Sequence, residues 1–389
     1  MKETELLYYF PYKIDKENRF RYYADVGDYG FSFVKRHIPN YDGKNVFEFL
    51  YGKSGLSKKD IYDFHYLYEN FRYWEDWYKN GKNMFSFSKE LLSMLEKTDV
   101  DDIKPDSFHL PYDIFYISLK PLNIKIEDNR EEIIEGVYIS HNIWDFNGEH
   151  PEGYCDLSFY FVGNFKGIFL EHVPHVTGRM PVTIDNKVTY DEWQEGSFWN
   201  VWLSFDKRDG RETVKQSIDF YLQEQKEYIF TKEDEKLKPS EFETNYYNST
   251  VFLLKNTINL VINCLLYLSL PTEKIDIEKK YPENLPHNFN KKLKYSRSPK
   301  EQEKISTKID QLGFSKINYI GQSYKRDYSS IFSEIIQQPH WRRGHWRNQR
   351  YGEKLKDKKL IWIQPTIVGK DINLSLQGHV YDIKDNKDD

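Results

Sequence analysis

Four short runs decide the fold: DIFYISL (113–119), IEGVYISHNIW (134–144), CDLSFYFVG (155–163) and GIFLEHV (167–173). Each is rich in β-branched and aromatic residues and is bounded by Gly, Asn, Asp or Pro, the composition of strands closed by turns. They predict four antiparallel strands. Alternation in the first run sets Ile114, Tyr116 and Ser118 on one face and Phe115, Ile117 and Leu119 on the other. Apolar residues fall on both sides, so both faces of the sheet are expected to be covered.

The chain before these strands reads as mixed and mainly helical. Ser57 and Asp60 have capping-box spacing, with Asp in place of Glu or Gln, and Ile61, Phe64, His65, Tyr68, Phe71 and Trp74 then recur at three and four residues, predicting one helix face that ends near Gly81. A shorter helix is expected over 88–97, and the acidic stretch 99–106 with Pro105 marks a boundary. After the strands, 205–220 is polar and helical at its end. The stretch 248–270 predicts an amphipathic helix at the centre of the core, with Lys255, Asn259, Asn263 and Tyr267 in one row opposite Val251, Leu254, Ile258, Val261, Leu265 and Leu268. Pro271 stops it. The Lys-, Asn- and Pro-rich stretch 271–304 shows little periodicity and is expected as a surface loop or mobile linker. The fold class is therefore α+β, an antiparallel sheet with packed helices. Three regions follow, a helical 1–105, a β-rich 106–205 and an α/β 206–389 that contains the linker.

Composition limits the function. The 389 residues suffice for an apolar core without staples, and two cysteines, Cys155 and Cys264, support neither a disulfide framework nor a cysteine zinc site. The first residues, MKETELLYYF, lack the pattern of an export signal, and the longest apolar stretch, 251–270, is interrupted by Lys255, Asn256, Asn259 and Asn263, so no membrane span is expected. A cytoplasmic protein is the expectation. The net charge of -5 means that any binding to a polyanion must be local. Aromatics make up 17%, which an AT-rich coding bias accounts for more readily than a binding function.

One window breaks the charge balance. Between His340 and Leu360, four Arg and four Lys meet only Glu353 and Asp357. Within it, PHWRRGHWRNQRYG (339–352) interleaves Trp341, Trp346 and Tyr351 with Arg342, Arg343, Arg347 and Arg350, a mixture that stacks on bases or peptide groups and forks onto carboxylate or phosphate. The competing reading is a twisted loop whose arginines meet acidic neighbours and whose tryptophans fill core. His340 and His345 offer an alternative, an acid–base pair for RNA cleavage flanked by arginines. No catalytic centre is otherwise recognisable. Glu171, His172 and His175 of EHVPH have a metal-like composition, but Pro174 breaks the register that would present them together, so no metal is assigned. GKSG at Gly52 has Phe47 where a phosphate loop needs its first glycine. No cofactor is expected.

The stretch QPHWRRGHWRNQRYG followed by KKLIWIQPTIVG resembles the C-terminal signature of the second-numbered type V-A anti-CRISPR family and its relatives on mobile elements. The residues that carry the likeness are Pro339, His340, Arg342, Arg343, Gly344, His345 and Trp346, then Trp362, Gln364 and Pro365. LPYDIFYISL, IEGVYIS, CDLSFYF, the long helix before Pro271 and NYIGQSYKRDYSS follow in the same order as similar family segments, so the likeness spans the last two thirds. The first hundred residues lie outside it. The resemblance implies a binding protein of a phage or plasmid, working in the cytoplasm of a bacterial host; whether it is also an enzyme is left open. It implies recognition of a nascent N-terminal peptide of the type V-A effector nuclease, with loss of that effector's messenger RNA. Its partners would be an extended peptide and, through it, the ribosome or mRNA. Binding is then expected at His340, Arg342, Arg343, His345, Trp346, Arg347, Arg350, Trp362 and Gln364. The alternatives are an RNA-binding protein or ribonuclease using His340 and His345, and a non-catalytic interaction protein.

Overall fold

Residues 8–15, 19–52, 54–125, 133–141, 154–163, 183–184, 187–188, 198–230, 248, 251, 257–283, 285–324, 340–342, 344–352, 356–364 and 366–368 are described by the structure, a computed structural model. Helices α1 (Phe10–Ile14), α2 (Arg19–Val26), α3 (Phe31–His37), α4 (Val46–Gly52) and α5 (Lys58–Lys79) form an N-terminal layer. Strand β1 (Met84–Phe87), helix α6 (Lys89–Leu95) and the short β2 (Thr98–Asp99) follow. Then come β3 (Ile114–Ser118), β4 (Ile124–Lys125), β5 (Ile133–His141), β6 (Tyr154–Gly163), the small pair β7 (Thr183–Ile184) and β8 (Lys187–Val188), and β9 (Phe198–Asp206). The rest comprises α7 (Val214–Phe230), α8 (Asn259–Leu268), β10 (Ile277–Lys280), α9 (Phe289–Lys294), α10 (Pro299–Gln311), β11 (Ile317–Ile320), β12 (His340–Arg342), β13 (Gly344–Tyr351), β14 (Asp357–Ile363) and β15 (Thr366–Val368).

The α+β class holds. The main sheet runs β10-β11-β1-β3-β5-β6-β9, with β4 beside β5. Its pairs are antiparallel except at β1, which lies parallel to both β3 and β11, so the sheet expected as antiparallel is mixed. Parallel neighbours need a crossover, and the chain from Phe87 to Ile114, carrying α6, supplies it. Three of the four expected strands are present as β3, β5 and β6. The run 167–173 lies outside the described residues, and β9 is the next antiparallel strand after β6. One sheet thus draws strands from each of the three sequence regions; the boundary near 105 falls between β1 and β3, and that near 205 falls inside β9.

Both faces are covered, as the alternation requires. Ile114 and Tyr116 join the core under the N-terminal helices with Phe20, Phe33, Phe71, Trp74 and Trp77. Phe115, Ile117 and Leu119 join the opposite core with α6, α7 and α8. Helix α5 begins where its cap predicts, Ser57 Oγ accepting from the Asp60 amide at 3.3 Å. The aromatic richness has a structural use here. Tyr116, Tyr138 and Tyr160 face one another in register across β3, β5 and β6, and Tyr73 of α5 stacks on Tyr160 at 3.9 Å. Between them Gly136 is obligatory, because a Cβ there would lie 2.1 Å from the Tyr116 hydroxyl.

Two expectations need correction. The stretch 271–304 holds β10, α9 and the first turns of α10, and its Leu285 and Phe289 form a small core with Ile309 further along α10. Ser298 caps α10 through the Glu301 amide, with Pro299 at the first helical position. The polar row of the core helix is not a solvated face either. Asn263 and Tyr267 are buried with the middle of α8, Asn259 is half-buried, and Lys255 lies outside the described residues.

Candidate functional site: a basic hairpin clasped to the core

The signature window folds as a β-ribbon. β13 pairs antiparallel with β14 from His345↔Ile363 to Tyr351↔Asp357. β12 pairs with β15 in the same register, Arg342 facing Thr366. β2 adds a parallel third strand at Gly344↔Thr98 and His345↔Asp99, and the Gly344 amide donates to the Lys97 carbonyl at 3.1 Å. The turn passes through Gly352 at φ +76°, where a side chain would be strained and a Cβ would collide with the Asp357 carboxylate.

Alternation divides the ribbon into two faces. Trp346, Trp362 and Leu360 turn toward α8 and join the core. The Trp346 indole N–H donates to Asn263 Oδ1 at 2.6 Å. Asn263 Nδ2 in turn donates to the carbonyls of Thr98 and Asn259, both at 2.9 Å. The Trp362 N–H donates to Thr98 Oγ1 at 3.1 Å, and that hydroxyl donates to the Met94 carbonyl at 3.0 Å. The two indoles stack at 6.0 Å, and Tyr267 meets Trp362 edge-on at 5.9 Å. Both indole N–H groups, the Asn263 amide and the Thr98 hydroxyl thus each have a partner, which is the condition for a polar cluster to hold rather than weaken a core.

Arg347, Arg350 and Tyr351 are exposed, as are Lys356, Asp357 and Lys358. Lys359 lies over the Tyr351 ring at 4.9 Å. Arg350 and Lys358 stand directly opposite each other across the ladder, an arrangement that costs stability unless an anion joins them. Among the described residues no carboxylate lies within ion-pair distance of Arg347, Arg350 or these lysines. The structure therefore separates the expected site residues. Trp346 and Trp362 mount the hairpin, Arg347 and Arg350 project from it, and His345 and Gln364 are half-buried. His340 and Arg342 lie on β12, with their side chains outside the described residues, and Arg343 is wholly outside them.

The ribonuclease alternative gains no support from this geometry. His340 lies on β12 and His345 on β13, and the His340 side chain lies outside the described residues. The carboxylate across from His345, Asp99, accepts from the Asp101 amide instead. Burial pushes the Cys155 thiol up to about 11 and the Cys264 thiol further, so neither supplies a thiolate nucleophile. Among the described residues no three His, Cys, Asp or Glu side chains gather as a metal site, and EHVPH lies outside them. Among the described residues, too, no helix is long and apolar enough to cross a membrane. What the sequence reading missed is the mount: Asn263 and Thr98 are as necessary to the hairpin as its own tryptophans. Asn263, in the middle of the apolar run NLVINCLLYL, was the available signal.

A solved structure described as the crystal structure of AcrVA2 is similar to the chain, at 18% identity and a TM-score of 0.43, covering 92% of this chain and 99% of that one. No curated protein matches it by sequence. The model of the AcrVA2-like family, described as the anti-CRISPR type V subtype A2 family, matches residues 85–370, which takes in the whole main sheet from β1 onward, α8 and the clasped hairpin. With nearly three quarters of its length inside that match, the chain belongs to the anti-CRISPR type V subtype A2 family.

Proposed function

We propose that this protein is an anti-CRISPR that lowers expression of a type V-A effector nuclease in a bacterial cytoplasm. The 340–368 ribbon captures the effector's nascent N-terminal peptide, and loss of the message follows. The observation that carries this reading is the construction of the hairpin: indole hydrogen bonds to Asn263 and Thr98 tie Trp346 and Trp362 to the core, while Arg347, Arg350 and Tyr351 stay exposed without a described carboxylate partner. Rigid mounting of a charged, aromatic strand pair suits recognition of an extended peptide, whose backbone accepts strand-like pairing and whose acidic groups accept arginine forks. Acid–base cleavage by His340 and His345 is not part of the proposal.

The test is expression of a type V-A effector in bacteria with and without this protein, scored for effector protein and effector mRNA. Both fall if the proposal holds. A control effector with a recoded, unrelated N-terminal peptide keeps both. Unchanged mRNA, or equal loss from the control, overturns peptide-directed silencing.

A further inference from the structure

We propose that the α9–α10 helical hairpin is a second contact surface, one that binds single-stranded RNA. Residues 289–308 carry six Lys and one Arg against two Glu, in a chain whose overall charge is -5. This element therefore concentrates positive charge locally, as the signature hairpin does. Lys291, Lys292, Lys294 and Arg297 are exposed on α9 and the turn that follows it. Lys300, Lys304 and Lys308 recur at four-residue intervals along α10, which sets successive ammonium groups on one side at steps of about 6 Å. Among the described residues none of the seven cations has an ion pair. Of the two carboxylates, Glu301 is committed to the helix start, accepting from the Arg297 amide at 2.8 Å.

A lysine row alone is an ordinary solvated face. The second observation is Tyr295, which stands 72% exposed at the turn between the helices with Lys294 over its ring at 5.9 Å. An exposed ring flanked by cations offers a base a stacking platform and its phosphates a set of partners, the combination that serves unpaired strands. The hairpin is also firmly seated. Phe289 and Ile309 bury their side chains in its own small core, Tyr281 donates to Asp310 at 3.0 Å, and Phe314 meets Tyr12 of the N-terminal layer at 5.6 Å. The choice of RNA over DNA rests on the proposed action on a message; the choice of a single strand rests on Tyr295.

The experiment uses the purified full-length protein and no effector, so it stands or falls apart from peptide-directed silencing. Fluorescence anisotropy would follow a labelled 20-nucleotide oligo(U), duplex RNA, oligo(dT) and poly-Glu across a salt series. Wild type binds oligo(U) with an affinity that falls with salt. Replacing Lys300, Lys304 and Lys308 with Gln weakens that binding at least ten-fold and reduces the magnitude of the salt slope by about 2, as three lost phosphate contacts require. Tyr295→Ala weakens oligo(U) but not duplex binding. Oligo(U) binding that survives the triple substitution overturns the proposal, as does binding confined to oligo(dT) or to poly-Glu.

Discussion

Replacing Asn263 with leucine keeps the γ-branched shape of a wholly buried side chain, though not its volume, and deletes its three hydrogen bonds. The Asn259 carbonyl retains its place in the α8 ladder, but the Trp346 indole N–H and the Thr98 carbonyl are left in the core without a partner. Each orphaned group costs about 1–3 kcal/mol. Leucine's larger apolar surface returns at most about 2 kcal/mol, so the expected net loss is roughly 2–4 kcal/mol, a large part of the 5–15 kcal/mol typical of a folded domain. The loss should also be local. Urea denaturation gives the global figure, and amide hydrogen exchange resolved over 344–351 and over 133–141 shows where protection falls. The hairpin should lose protection while the sheet centre keeps most of its own. Trp346→Phe removes the donor of the same bond, so the double substitution should cost less than the two single losses together. A variant as stable as wild type, with hairpin protection intact, would refute the clasp.

Trp362→Ala removes the indole that bonds Thr98 and stacks on Trp346; because it is only half-buried, the loss should sit near the lower end of the 3–5 kcal/mol typical of such truncations, read by denaturant titration. Gly136→Ala places a methyl against the Tyr116 hydroxyl and 2.6 Å from the Ile117 carbonyl, in the middle of the main sheet, and should lower stability by at least about 1–3 kcal/mol; a melting temperature equal to wild type would contradict that packing. Burial pushes His65 down to about 4, with Glu69 opposing and Arg72 assisting. The unfolded chain then takes up this proton first, so stability is full above about pH 6.5 and falls as the pH drops toward 4. His65→Gln should flatten that fall in thermal melts at pH 7 and pH 4.5, and an equal fall in both proteins would count against it.

Much of the fold was legible because it rests on period. Helix α5 announced itself through its cap and its three- and four-residue spacing, and the two-faced burial of β3 followed from seven alternating residues. Strand β1 escaped because MFSF is four residues long, apolar in both phases and wedged between two helices. The α9–α10 hairpin escaped because lysines dilute its apolar positions, although Ser298, Pro299 and Glu301 spell a helix start. At the candidate site, the basic and aromatic character of 339–352 was readable, but which side chains bind and which brace was not. That division depends on Asn263 meeting a tryptophan 83 residues later and on Thr98 meeting one 264 residues later. No local pattern encodes either contact.

The most direct test compares wild type with Arg347→Ala, Arg350→Ala in cells expressing a type V-A effector, with effector mRNA as the readout and the melting temperature of the purified variant alongside. Both arginines are exposed, and exposed charges contribute about 0–1 kcal/mol each to stability. The melting temperature should therefore stay within a few degrees while effector mRNA returns to the level seen without the protein. Full repression by a folded double variant would contradict the assignment of the clasped hairpin as the working surface.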